Sequence, residues 1–138
     1  MKLKFLILIL SFVTTFSFGQ TYSFSKLVKN ATVQTSTGNQ ERVIGTYQGP
    51  YNFLFESPND PQIKRLFTIL NPGQENAAGL PYYGLLKEMG YVEKAGKLLK
   101  KYLYLDTESN DQVMVLIADD YSLIVIFKKD DTTWEYFK

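Results

Sequence analysis

Residues 102–137, YLYLDTESNDQVMVLIADDYSLIVIFKKDDTTWEYF, decide the fold class of this chain. They contain four apolar or aromatic runs, separated by short polar segments rich in Asp, Ser and Thr. β-Branched and aromatic residues favour strands, and such polar clusters favour the turns between them. The segment therefore predicts a four-stranded antiparallel meander, with strands at 102–105, 113–118, 121–127 and 132–137.

Two of these runs, Val113–Ala118 and Leu123–Phe127, are apolar at every position. A strand with one face in water alternates apolar and polar residues, so a continuous apolar run predicts burial on both faces. We therefore expect two central strands, covered on one face by a helix. The other face would meet the N-terminal strands, a barrel interior or a partner subunit. The residues predicted to be most buried are Val115, Ile117, Ile124, Ile126 and Phe127.

Further strands are predicted up to residue 70, in short stretches that contain β-branched and aromatic residues. These stretches are residues 21–28, 31–35, 42–47, 51–56 and 63–70. Polar or proline-containing segments favour turns between them. The predicted turns are Ser36–Gln40, Gly49-Pro50 and Ser57–Pro61.

A single helix is predicted over residues 81–89. Pro81 suits the first helical position, and Gly90 suits a helix end. The apolar residues that recur at helical spacing between them are Leu85, Leu86 and Met89. Residues 91–101 fit either a continued helical face or a short extended piece, and we favour a break at Gly90. The sequence thus predicts an α+β fold, predominantly antiparallel β, as a meander or small barrel-like sheet with one central helix.

The first twenty residues have the order of a cleavable secretory signal. A short basic start precedes the apolar run Phe5–Val13, which is too short to span a bilayer and gives way to small and polar residues. Ser17 and Gly19 supply the small side chains expected before a cleavage site, so the mature chain should begin at Gln20. We therefore predict a signal peptide over 1–19 and a single β-rich domain over 20–138. The expected localisation is periplasmic or extracellular in a bacterium, without a membrane anchor after cleavage.

The composition excludes several classes of chemistry. The chain has no Cys and no His, which removes thiol chemistry, histidine-based hydrolysis and the commonest ligands of transition metals. Its formal charge is +1, and loss of Lys2 and Lys4 with the signal leaves it nearly neutral. Electrostatic binding to nucleic acid is therefore not expected. We also expect no cofactor, no metal and no enzymatic activity.

Paired carboxylates are the remaining catalytic candidates, because two acids can perform glycoside hydrolysis. The visible pairs are Asp119-Asp120 and Asp130-Asp131. Both fall at predicted hairpin turns, where Asp is favoured because it bonds to nearby backbone, so a turn role is the better interpretation.

Tyrosine is the residue type with the most functional potential, since it presents an apolar body with a polar tip. Tyr47 and Tyr51 flank Gly49-Pro50, and Tyr82-Tyr83 follow Gly79 and Pro81. Loops at the ends of elements carry many binding groups, so these four tyrosines are the candidate ligand-binding residues. The alternative is that each one packs in the core.

These observations favour an exported, non-enzymatic binding module that holds a small apolar, glycan or peptide ligand on tyrosine-rich end loops. The first alternative is an envelope protein-interaction or inhibitor protein, with a possible homodimer, because the doubly apolar strands need cover. The second alternative is a carboxylate-dependent hydrolase. The size and the meander also fit a calycin-like small barrel, an analogy of architecture that carries no function.

Overall fold

The structure, a computed structural model, describes residues 18–56, 66–94 and 96–138. Residues 1–17 of the predicted signal peptide 1–19 and the predicted turn Ser57–Pro61 lie outside these ranges, whereas the last two signal residues, Phe18 and Gly19, begin the first strand. Eight antiparallel strands form one closed barrel in which each strand pairs with its neighbours in sequence and β8 pairs with β1. The strands are β1 (Phe18–Thr35), β2 (Gly38–Glu56), β3 (Leu66–Leu70), β4 (Tyr83–Lys94), β5 (Lys97–Asp106), β6 (Asp111–Ala118), β7 (Leu123–Phe127) and β8 (Thr132–Phe137).

The lumen of the barrel is filled by aromatic and branched side chains, as expected for a barrel of this strand number. Alternate residues of each strand point inward, and the inner set forms the main core. The largest completely buried rings are Phe24, Phe53, Phe55, Phe67, Tyr104 and Tyr136. They pack mostly edge to face: the ring centroids of Phe53 and Tyr136 are 4.7 Å apart, and those of Phe67 and Tyr104 are 5.0 Å apart. Core packing and the closed strand ladder therefore hold this cysteine-free barrel together.

The predicted meander is confirmed as β5 to β8, although β5 begins five residues before the predicted residue 102 and β7 begins at Leu123, two residues after the predicted start. Val115, Ile117, Ile124 and Ile126 are buried as predicted, whereas Phe127 is only partly buried. Central placement of β6 and β7 is also confirmed, because both of their faces are covered. A second cluster of buried residues lies on the outer face: Leu99, Leu116, Ala118, Leu123 and Val125.

The cover on that outer face is not a helix. Val92 near the end of β4 packs against the outer cluster, and Lys94 forms an ion pair with Glu135 of β8 at 3.8 Å. The end of the β4–β5 hairpin therefore covers the face for which the sequence predicted a helix.

The α+β prediction is wrong, since the described residues contain eight strands and no helix. Residues 83–94 form β4, Gly96 lies in a turn, and residues 97–101 are extended as the start of β5. The physical reason is that β4 carries two bulges, one between Leu85 and Lys87 and one between Glu88 and Tyr91. Each bulge adds a residue to one strand and interrupts the alternation of faces, so this segment lacks the regular apolar–polar alternation that would have marked it as a strand. Gly90 has φ +96° and lies in the second bulge.

The predicted turn at Gly49-Pro50 is also wrong, because both residues lie within the continuous strand β2. Tyr51 pairs with Phe24 and Gln48 pairs with Lys26, so three steps along β2 lie opposite two steps along β1. The extra residue in β2 makes this site a bulge. The strand therefore bends here without reversing. In the same way the two predicted strands 21–28 and 31–35 are one strand, β1, with a register shift at Lys29/Asn30. The turn at Ser36-Thr37 is confirmed.

The connections divide the barrel into two ends. The upper end carries the β1–β2, β3–β4, β5–β6 and β7–β8 connections, and the lower end carries the β6–β7 turn and the C-terminus. Among the described residues, no helix has the length and apolar character that crossing a bilayer requires.

Candidate functional site

Charged and aromatic side chains form a layer above the apolar core at the upper end of the barrel. Strand alternation points the side chains of this layer inward. Each residue of the layer either lies two positions along the chain from a core residue or pairs with a core residue on the neighbouring strand. We call this layer the mouth cluster. Its members are Lys29 of β1, Tyr83 of β4, Asp106 of β5, Trp134 of β8 and Lys128, which follows β7.

Lys128 is the centre of the mouth cluster. Its Nζ donates hydrogen bonds to the Tyr83 hydroxyl at 2.6 Å and to Asp106 Oδ2 at 3.3 Å. It also lies 4.5 Å from the ring centroid of Trp134, within cation–π range. Burial lowers the pKa of Lys128, but the Tyr83 hydroxyl and the Asp106 carboxylate outweigh that effect and raise the pKa above its ordinary value. Lys128 is therefore held as a cation in a half-buried site.

Lys29 approaches Trp134 from the neighbouring strand. β8 lies between β1 and β7, and the Lys29 Nζ is 3.9 Å from the Trp134 ring centroid and 4.9 Å from that of Tyr47. Among the described residues no carboxylate lies within ion-pair distance of Lys29. Gly45, opposite Lys29, makes this arrangement possible: a Cβ there would lie 2.7 Å from the Tyr47 hydroxyl oxygen. The ring of Tyr47 thus folds onto the bare backbone of Gly45.

A cavity of about 440 Å³ opens beside the mouth cluster, between the β5–β6 and β7–β8 connections. Its lining combines one aromatic ring and one valine with carboxylates, ammonium groups and a hydroxyl. The lining residues are Asp106, Glu108, Ser109, Asp111, Val113, Lys128, Lys129, Asp130 and Trp134.

Most carboxylates of the cavity already have partners. Lys129 Nζ donates to Asp111 Oδ1 at 3.0 Å, and this hydrogen bond lowers the pKa of Asp111. Asp106 Oδ1 accepts the backbone N–H of Glu108 at 3.0 Å. The Glu108 carboxylate makes no hydrogen bond or ion pair within the described ranges. The cavity therefore presents one unused carboxylate and, at Lys128, an ammonium group with one hydrogen to spare.

The two acidic pairs occupy turns. Asp120 Oδ1 accepts the backbone N–H of Ser122 at 3.0 Å, and Asp130 Oδ1 accepts that of Thr132 at 3.1 Å. Hydrogen bonds from Ser122 and Thr132 lower the pKa values of Asp120 and Asp130 respectively. Both carboxylates thus act locally on their turns. In the segments that the structure describes, no three acidic residues lie close enough to hold a metal ion.

The structure separates the four predicted tyrosines. Tyr51 and Tyr83 are buried in the main core, at 6% and 8% exposure, whereas Tyr47 and Tyr82 are 44% and 45% exposed. Tyr47 borders the mouth cluster through Lys29, and Tyr83 belongs to it through its hydroxyl. Tyr82 holds the β5–β6 connection by its backbone, since its N–H donates to Thr107 Oγ1 at 3.0 Å. The four tyrosines therefore do not form one surface.

Sequence reasoning missed Lys29, Asp106, Lys128 and Trp134 as site residues. For Lys128 a signal existed: Ile124 and Ile126 point inward, and the same alternation continued by two residues reaches Lys128. Lys29 and Asp106 needed the pairing of strands that lie far apart in the chain.

No family model matches this chain, and no curated protein or solved structure is significantly similar to it. The chemistry of the mouth cluster is therefore the basis for a functional proposal.

Proposed function

We propose that this protein is an exported binding module that holds a small hydroxyl-rich ligand, of the glycan class, in the cavity beside the mouth cluster. The observation that carries the proposal is the position of the Trp134 ring in a cavity whose polar groups retain hydrogen-bonding capacity. Pockets that bind small molecules usually combine apolar or aromatic surface with a few polar groups that fix orientation.

The chemistry of a sugar suits these groups. The C–H face of a sugar ring packs on an aromatic side chain, while its hydroxyls both donate and accept hydrogen bonds. Glu108 would accept from a hydroxyl, and the remaining N–H of Lys128 would donate to one. The cation–π contacts and the Tyr83 and Asp106 hydrogen bonds hold Lys128 in position before a ligand arrives.

The filled lumen supports a ligand at the mouth in preference to one inside the barrel. Phe53, Phe67 and Tyr136 pack ring against ring across the interior. An apolar ligand in that position would have to displace completely buried side chains, which costs several kcal/mol, on the order of the loss on truncating one such residue. A polar ligand in the open cavity displaces only water.

Tryptophan fluorescence offers a direct test, because Trp134 is the only tryptophan of the chain. We expect titration with one of a panel of soluble oligosaccharides, such as maltotriose, chitotriose and digalacturonic acid, to change the Trp134 emission saturably. Glu108→Gln should raise the dissociation constant by roughly 3- to 10-fold, which corresponds to the loss of about one hydrogen bond. Glu93→Gln is the matched control, since Glu93 is also exposed but lies on β4, away from this cavity.

Equal affinities for the Glu108 and Glu93 variants would place the ligand elsewhere. An emission that stays unchanged across the panel at millimolar concentrations would contradict the glycan class.

Export is part of the proposal and rests on the composition of residues 1–19. Intact-mass measurement of secreted protein should give a chain that begins at Gln20 or within two residues of it. Secreted material that retains Met1 would overturn this part.

A protein-interaction role is the second candidate. It is favoured by large apolar side chains exposed on the β4–β5 hairpin, namely Leu86, Met89, Tyr91 and Leu98. If these form a homodimer contact, sedimentation equilibrium should find a dimer that Leu98→Glu dissociates. A monomer at all concentrations would remove the homodimer.

A further inference from the structure

Two tyrosines stack directly on each other at the lower end of the barrel. The ring centroids of Tyr22 and Tyr121 are 3.9 Å apart, with an angle of 6° between the planes. Tyr22 lies on β1 and Tyr121 lies in the β6–β7 turn. The pairing of β1 with β8 begins only at Lys26, so among the described strands Tyr22 has a hydrogen-bonded neighbour strand on one side alone. The stack therefore bridges a part of the barrel where the strand ladder is incomplete.

The surroundings fix the mutual orientation of the two rings. Phe55 contacts both of them edge on, with centroid distances of 5.7 Å to Tyr22 and 6.0 Å to Tyr121. Burial, and after it the charge and a hydrogen bond of Tyr22, raise the pKa of Tyr121, so the two hydroxyls lie close together. Nearly parallel rings at this distance whose hydroxyls lie close together bring their ortho carbons, the ring positions next to C–OH, near each other. Both side chains are partly exposed.

We propose that Tyr22 and Tyr121 form an intramolecular oxidative cross-linking site that yields a dityrosine. The oxidant class is hydrogen peroxide with a haem peroxidase. Each phenol loses one electron and one proton to give a tyrosyl radical, and the two radicals couple through a new ortho carbon–carbon bond. The two ring hydrogens at those carbons then move to the oxygens, which restores both phenols. The protein loses two hydrogens in total, and one hydrogen peroxide is reduced to two waters.

Other tyrosine pairs lack this geometry. Tyr51–Tyr136 and Tyr102–Tyr104 meet at 73° and 61°, and all four rings are buried. Within the described ranges, Tyr22–Tyr121 is the one tyrosine pair with stacked rings. Proximity of this kind raises the rate of a coupling step strongly, because the two reactants no longer have to find each other. The product would join β1 to the β6–β7 turn in a chain that has no cysteine for a disulfide.

The test is oxidation of the purified protein with a peroxidase and a limited amount of hydrogen peroxide. We expect a monomer whose mass is lower by two hydrogens and which shows dityrosine fluorescence. Trypsin, which cleaves after Lys26, Lys101 and Lys128, should then release the peptide containing Tyr22 joined to residues 102–128. Fragment ions should place the bond at Tyr121, since Tyr102 and Tyr104 share that peptide.

Phenylalanine variants supply the controls, because they keep the ring and remove the phenol. Tyr22→Phe and Tyr121→Phe should each lower the yield of this product at least about tenfold, whereas the exposed Tyr91→Phe should leave it unchanged. Thermal unfolding of each variant checks that it is folded. Wild-type protein that is oxidised while unfolded in urea should also give at least about tenfold less of the cross-linked product. A product that persists in Tyr121→Phe, or cross-links formed only between molecules, would overturn the proposal.

Discussion

Neighbouring residues of this chain have different environments because strands alternate their faces. Tyr82 is 45% exposed, while the next residue, Tyr83, is 8% exposed and hydrogen-bonded to Lys128. The sequence places both tyrosines next to a turn and suggests the same role for each. Only the position of β4 in the barrel distinguishes them, since it points the Tyr83 ring against Phe67 at a centroid distance of 4.7 Å.

Alanine variants of these two tyrosines should therefore behave oppositely. Tyr83→Ala removes a buried ring and leaves a cavity, so we expect a loss of about 3–5 kcal/mol in the free energy of unfolding. Tyr82→Ala should change it by no more than about 0.5 kcal/mol, because the contacts of Tyr82 with Thr107 come from its backbone. Urea unfolding of both variants measures the difference. Similar losses at the two positions would show that the register of β4 is wrong.

Bulges are the features that shape individual strands. The β2 bulge at Gly49 and the two β4 bulges each insert an extra residue and bend the strand. In β4 the bulges interrupt the alternation around Leu85, Leu86 and Met89, whose spacing imitates a helix and two of which are exposed. A helix would have turned such residues together into the core, whereas the bulged strand leaves Leu86 and Met89 in solvent.

Two glycines provide a matched test of the β2 bulge. A Cβ at Gly49 would overlap the carbonyl oxygen of Phe24 and lie 2.9 Å from the backbone nitrogen of Tyr51, so Gly49→Ala forces backbone to move. We expect a loss of about 1–3 kcal/mol in unfolding free energy, the usual cost of overpacking. Gly84 of β4 has nothing within 4 Å of the corresponding point, so Gly84→Ala should be neutral or stabilise by up to about 1 kcal/mol. Thermal or urea unfolding of both variants measures these changes in stability. A Gly49→Ala variant as stable as the wild type would contradict the close approach of β1 and β2 at this position.

Several tyrosine phenols of the barrel have raised pKa values. Burial is the first cause of a raised pKa at Tyr83, Tyr102, Tyr104, Tyr121 and Tyr136. A phenol whose pKa is higher in the folded than in the unfolded state stabilises the fold fully below the unfolded value of 10.0. That contribution is lost as pH rises through the folded-state pKa. Lys128, whose pKa is also raised, acts in the same direction.

We therefore expect the free energy of unfolding to fall steeply above about pH 10. Urea midpoints compared between about pH 8 and pH 11 should decrease, and tyrosinate absorbance from the buried rings should appear together with unfolding. Tyr104→Phe removes one of these phenols and should make the decrease shallower. A midpoint that does not change over this range would mean that the rings are accessible to solvent in the folded protein.

The sequence by itself determined the all-β meander of β5 to β8 and the burial of β6 and β7 on both faces. These features follow from alternation and apolar runs within short segments, which need no knowledge of distant residues. It also indicated which polar clusters make turns, as at Ser36-Thr37 and Asp119-Asp120.

Tertiary structure alone decided the closure of the barrel, the absence of the predicted helix from the described residues and the membership of the mouth cluster. The seam between β1 and β8 pairs Lys29 with Trp134, residues from opposite ends of the chain. The four candidate tyrosines differ in exposure for a similar reason, since the face that a residue presents depends on its place in the complete sheet. Register shifts and long-range pairing arise from the packing of the complete sheet, and no local pattern of residues contains them.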